Sequence, residues 1–78
     1  MLLDIITPDS KLFSGEVTSV ILPGIDGELG VLNNHAPLIT SLKVGEITII
    51  KEGGAKETFE TKGGIVEVLN NKVIVLAE

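Results

Sequence analysis

The sequence predicts an all-β domain, and three observations predict it. Runs rich in β-branched and aliphatic residues recur roughly every 8 to 12 residues, each bounded by Gly, Pro, Asn, Asp or Ser. Ten Leu, ten Ile and eight Val stand against two Phe and no Trp or Tyr, so the core is built from aliphatic layers. No segment repeats apolar residues at helical spacing for three turns. With 78 residues the chain reads as one domain, 1–78, and a chain this small buries only about 60 to 65% of its unfolded surface.

The elements follow in order. Leu2 to Ile6 is a short strand, ended by "TPDS", where Pro8 and Asp9 supply turn chemistry. "EVTSVIL", from Glu16 to Leu22, reads as a β-branched strand that ends at Pro23-Gly24. "GELGVL" comes next, followed by a polar knot that holds the only histidine, "NNHAP". "EITIIKE", Gly53-Gly54 and "KETFET" form a hairpin. "GGIVEVL" and "KVIVLA" form a second hairpin, because asparagines in the two-residue Asn70-Asn71 loop tolerate the positive φ angles of a type I′ turn.

The last hairpin does not alternate cleanly. Ile65 and Leu69 lie opposite Val66 and Val68, and Ile74 and Leu76 lie opposite Val73 and Val75, so both faces want cover. In a sandwich a strand has one inner face, and the second apolar face then needs another element or another protein. The alternative is a compact barrel with a greasy outer surface.

Composition excludes several functions. Eleven acids against six lysines, with no arginine, oppose polyanions and remove the bidentate reader of phosphate and guanine, so nucleic acid is not a partner. The same balance opposes anionic lipid, and no apolar run reaches the roughly 18 residues that span a bilayer. Absence of cysteine removes disulfides and thiolate metal sites and fits a reducing compartment. The acidic residue at position 4 and the lack of a basic leader make the N-terminus a strand, not a signal peptide.

No motif carries catalysis. Gly24, Gly27 and Gly30 lack the strand-to-helix context of a dinucleotide fingerprint and the Lys-Ser or Lys-Thr of a P-loop. Asp26 and Glu28 resemble the start of a calcium loop without its glycine or closing glutamate, so no metal and no cofactor are expected. His35 is the only candidate base; Thr40 and Ser41 follow it, but no acidic orienting group lies near in sequence. Residues alone favour a solvated loop histidine over a ligand. Lys72, read at the tip of the "NNKV" hairpin, raises a lipoyl- or biotinyl-carrier reading, but it lacks the Asp-Lys-Ala or Met-Lys-Met context of those domains.

"LFSGEV" at 12–17, "GIDGELGVLNNHAPLITSLKVGEI" at 24–47 and "GGIVEVLNNKVIVLAE" at 63–78 closely resemble the N-terminal domain of the ATP synthase epsilon subunit. The resemblance covers nearly the whole chain, and its middle motif is specific. It implies a small flattened β-sandwich of about ten short strands, without a C-terminal helical hairpin. It also implies a non-catalytic central-stalk subunit that binds gamma and the polar loops of the rotor ring of c subunits and so couples proton translocation to ATP synthesis. The membrane is met only through the complex, on the cytoplasmic face of the bacterial inner membrane.

Carried onto this chain, the resemblance implies a partner-binding surface of Glu28, Leu29, Asn33, Asn34, His35 and Thr40, with Glu28 and His35 toward the ring and Thr40 toward gamma. Two departures stand out. Asn33-Asn34 replaces the Pro-Gly that many family members carry before the histidine, and asparagine also accepts left-handed geometry, so the bend is expected to persist. The two inhibitory helices that follow the sandwich in most bacterial and plastid relatives are missing, so a chain of these residues alone is expected to couple without that lever. A free-standing carrier or ligand-binding module is the alternative function.

Overall fold

The computed structural model describes residues 1–78. Nine strands and no helix make up the chain, in keeping with the ten or so that the resemblance implies: β1 (Leu2–Ile6), β2 (Lys11–Glu16), β3 (Ser19–Gly24), β4 (Gly27–Leu32), β5 (Leu38–Leu42), β6 (Gly45–Ile50), β7 (Lys56–Thr61), β8 (Gly64–Leu69) and β9 (Lys72–Ala77).

Pairing runs β2-β1-β9-β8-β5-β3-β6-β7, with β4 on the other edge of β3. The link between β5 and β3 is the single pair Gly24↔Leu42, so the sheet pinches there into two leaves, β2-β1-β9-β8-β5 and β4-β3-β6-β7. All pairs are antiparallel except β1 with β9, which run parallel and tie the start of the chain to its end.

The leaves close on one aliphatic core. Leu3 and Ile5 of β1, Val73 and Val75 of β9 and Val66 of β8 meet Val20 and Leu22 of β3, Val31 of β4 and Ile47 and Ile49 of β6, all fully buried. At the far seam, β2 and β7 end the strand order, and Phe13 and Phe59 bridge them with ring centroids 6.2 Å apart and planes tilted by 60°. That tilted geometry is a favoured aromatic arrangement. Lys51 lies 5.7 Å from the Phe13 centroid while its ammonium donates to Glu57 at 2.8 Å, so the seam is capped by charge.

Both hairpins form as the sequence predicts. In the second, Asn70 and Asn71 adopt φ of 51° and 60°, both left-handed. The run Glu16–Leu22 differs: β2 ends at Glu16 and β3 begins at Ser19. Here the chain crosses between leaves, with the Val17 N–H donating to Met1 O at 2.9 Å, that of Thr18 to Ile50 O at 2.7 Å, and the Val17 side chain buried. Pro23 and Gly24 lie within β3 and do not terminate it. The β3–β6 ladder stops at Ile21, so the missing N–H of Pro23 removes no bond from that ladder.

Glycine is required at the entry to β8. Gly63 and Gly64 have φ of +137° and +135°, and a Cβ on Gly64 would collide with the Leu76 carbonyl. The buried Thr61 hydroxyl closes this turn, donating to Gly63 O at 2.6 Å and accepting from Gly63 N at 3.2 Å.

Candidate partner-binding surface

The polar knot is a bend anchored on both sides. After β4 the His35 N–H donates to Leu32 O at 3.2 Å, and Asn34 takes φ of 62°, so the asparagine does supply the left-handed residue. Asn33 Oδ1 accepts from the Met1 ammonium at 2.7 Å, and the Asn34 N–H donates to Asn71 Oδ1 at 2.8 Å. Two of the polar residues therefore serve the fold as well as the surface.

His35 is half-buried, and its Nδ1 lies 2.7 Å from the Ala36 carbonyl oxygen. A carbonyl only accepts, so the contact puts a proton on Nδ1 and leaves Nε2 as the free nitrogen. No carboxylate orients the ring, which leaves it without the partner that a catalytic base needs.

The expected surface residues divide into two groups at opposite ends of β4, separated by about 17 Å at the strand rise. Asn33, Asn34 and His35 share one end with the Asn70-Asn71 turn. Glu28, Leu29 and Thr40 gather at the other, lining a shallow hollow of ≈ 250 Å³ between β4 and β5. Within that group, strand alternation turns neighbours apart: Glu28 is exposed, whereas Leu29, on the same side as Val31, packs against the core. Thr40, half-buried, pairs with buried Val66 on β8.

A third feature lies outside that residue set. On the outer face of the five-stranded leaf, cross-strand register sets Ile6, Leu76 and Ile65 side by side, and Asp4, Ile74, Glu67 and Ile39 in the adjoining row. Ile65, Leu69 and Leu76 are 46%, 49% and 51% exposed and Ile39 is 69% exposed, while Val66, Val68, Val73 and Val75 on the reverse are buried. The two-faced strands of the sequence are thus two-faced in space, and that was the signal for this surface.

Asp4 is the polar centre of this face. The Ser14 hydroxyl donates to its Oδ1 at 2.6 Å, and this bond, aided by Lys11 and Lys72, holds the carboxyl below the usual carboxylate range. Lys72 Nζ lies 4.0 Å from Asp4 Oδ2. No His, Cys, Asp and Glu side chains assemble in a group of three or more that could hold a metal. No helix is long and apolar enough to cross a membrane.

Residues 1–78 match the family described as ATP synthase, Delta/Epsilon chain, beta-sandwich domain. The chain belongs to that family. Among curated relatives, an ATP synthase epsilon chain of Desulforamulus reducens is 47% identical over 97% of this chain and 57% of the relative. One from Pelotomaculum thermopropionicum is 53% identical over 96% of this chain and 55% of the relative. This epsilon-type sandwich spans little more than half the length of those two, and 86% of a Chlorobium limicola epsilon chain to which it is 46% identical over 97% of its own length.

Solved structures agree on the fold. A chain of the Euglena gracilis mitochondrial ATP synthase, in a cryo-EM structure that includes the c-ring, superposes with a TM-score of 0.90 at 26% identity, covering 96% of this chain and 48% of that one. A chain from the Tetrahymena thermophila mitochondrial ATP synthase central stalk and c-ring gives 0.82 at 16% identity, covering 97% and 61%, and supports the fold alone. The sandwich of the epsilon family is therefore what these 78 residues form, in nine strands.

Proposed function

We propose that this chain is a non-catalytic rotor subunit in the central stalk of an F-type ATP synthase, binding gamma and the c-ring and keeping proton flow coupled to ATP synthesis. The observation that carries this reading is the exposed apolar outer face of the five-stranded leaf in a member of the epsilon family. Gamma covers that face: Ile65, Ile74 and Leu76 supply the apolar centre, and Asp4 and Glu67 within it select a partner that brings basic groups. The polar loops of the ring meet Glu28 and the Asn33–His35 bend, where exposed charge-assisted contacts set register and contribute on the order of 0.2 to 1 kcal/mol each. Thr40, which lines the β4–β5 hollow, is the residue of the expected set assigned to gamma, reached from that hollow and not from the outer face.

Catalysis then belongs to other subunits, and attachment to the cytoplasmic face of the bacterial inner membrane is indirect, through the complex. The carrier alternative has little support, since Lys72 opens β9 beside Asp4 and is not the hairpin tip. Reconstitution is the test. Enzyme lacking this chain should lose binding of the catalytic head to the membrane sector and lose proton coupling, and full retention of both would refute the reading. Adding the chain to isolated head should leave the ATPase rate nearly unchanged, because these residues hold no helix to act as a lever. Sedimentation with gamma separates a stalk subunit, which travels with it, from a carrier, which does not.

A further inference from the structure

Met1 is only 5% exposed, and its amine is fully engaged. An ammonium has three N–H donors. Three acceptors surround this one: Val17 O at 3.0 Å, Asn33 Oδ1 at 2.7 Å and Glu16 Oε2 at 3.2 Å. The neighbouring Leu2 N–H donates to Asn71 O at 3.2 Å, and Asn71 in turn holds Asn34 through its side chain. Met1, Asn33, Asn34, Asn71 and Leu2 thus form a closed circuit of bonds between three segments remote in sequence.

We propose that the Met1 amine is a modification-sensitive site, at which a free ammonium locks the Asn33–His35 bend and a blocked amine releases it. A formyl group, an acetyl group or a preceding residue turns the ammonium into an amide with one N–H and no charge. Two of the three acceptors then lose their donor, and Glu16 loses its counter-charge. The added carbonyl brings an oxygen into a cage that already consists of oxygens, Val17 O and Asn33 Oδ1. Asn33 Oδ1 has no other hydrogen-bond donor, and Asn33 is the only one of the three acceptors that lies in the bend, so its release is the one the bend feels. The effect on partner contacts rests on the function proposed above, whereas the effect on the bend does not.

The test compares the 78-residue chain carrying free, Nα-formylated and Nα-acetylated Met1, prepared by chemical ligation, with amide exchange read by NMR. Blocking the amine should speed exchange at Val17 and Asn34 by about tenfold or more, while Thr48 and Thr58 in the β6–β7 ladder change less than twofold. Asn33→Ala in the free-amine chain should reproduce the acceleration at Asn34, and blocking should add little to it. If a blocked chain fails to fold, Asn33→Ala and Glu16→Gln with a free amine carry the comparison. Unchanged exchange at Asn34 in the blocked chains or in Asn33→Ala, or equal acceleration throughout the β6–β7 ladder, overturns the proposal. No partner enters the measurement, so failure of the stalk reading would leave this result intact.

Discussion

Asn34 donates its backbone N–H to the side-chain oxygen of Asn71 at 2.8 Å, across 37 positions of sequence. Each residue has a left-handed φ, 62° and 60°, and each is the second of an adjacent asparagine pair. The bond joins the bend after β4 to the turn between β8 and β9, and so joins the two leaves at one end of the sandwich.

This bond can be isolated by substitution. Asn71→Gly keeps the left-handed conformation and removes the acceptor, so it should cost about 1 kcal/mol of unfolding free energy. Asn71→Ala adds the steric penalty of a left-handed residue with a Cβ and should cost about 1 to 2 kcal/mol more. Urea denaturation of both variants measures the difference, and equal losses would show that φ strain contributes nothing.

Gly64→Ala should be among the most damaging single changes. Its φ of +135° is closed to side chains, and the new Cβ would meet the Leu76 carbonyl in the β8–β9 ladder. Relieving both demands means breaking local pairing, at a cost of about 3 kcal/mol or more. Thermal unfolding should show a fall of well over ten degrees, at about 4 to 8 °C per kcal/mol for a domain of this size.

Stability should depend on pH through Asp4. Its carboxyl is held low in the folded state, first by the Ser14 hydroxyl and then by Lys11 and Lys72. A depressed folded pKa stabilises fully above the unfolded value of about 3.9, and the contribution is lost as pH falls through the folded pKa. Ser14→Ala should move the Asp4 titration upward toward the ordinary range and flatten the acid limb of the stability curve. Carboxyl-carbon NMR across the acid range checks the first outcome and denaturation at matched pH the second.

Polar substitution of the outer face should separate binding from folding. Ile65→Thr with Leu76→Thr places a β-branched residue at both positions of β8 and β9 and removes the apolar centre of the face. Both side chains are about half exposed, so the unfolding free energy should fall by no more than about 1 kcal/mol for each. Affinity for gamma, measured by titration calorimetry, should fall by about tenfold or more. Unaltered affinity would move the gamma contact to another surface.

Seven of the nine strands were legible as short runs between turn formers, and the Asn70-Asn71 turn because only a few residue types tolerate its angles; β2 (Lys11–Glu16), which has no β-branched residue, and β5 (Leu38–Leu42), which follows the polar knot directly, were not. The division of Glu16–Leu22 was not legible. Val17 looks like any β-branched strand residue, and only the bonds to Met1 and Ile50 show that the chain changes leaf there. In the same way "GELG" reads as one contact motif, yet the period of two sends Glu28 outward and Leu29 to the core.

Local chemistry, written in the sequence, determined the all-β class, the turns, the lack of any polyanion-binding charge pattern, the apolar residues on both faces of the last hairpin and, through specific motifs, the epsilon family. Tertiary structure decided which apolar face is core, where the outer rows of Ile65, Ile74 and Leu76 meet Asp4, and that Asn33 and Asn34 turn part of their bonding capacity inward to Met1 and Asn71. The reason is physical: side-chain direction and turn preference are properties of a few neighbouring residues. Register between strands such as β1 and β9, 70 residues apart at Leu2↔Lys72, exists only once the two leaves close on a common core.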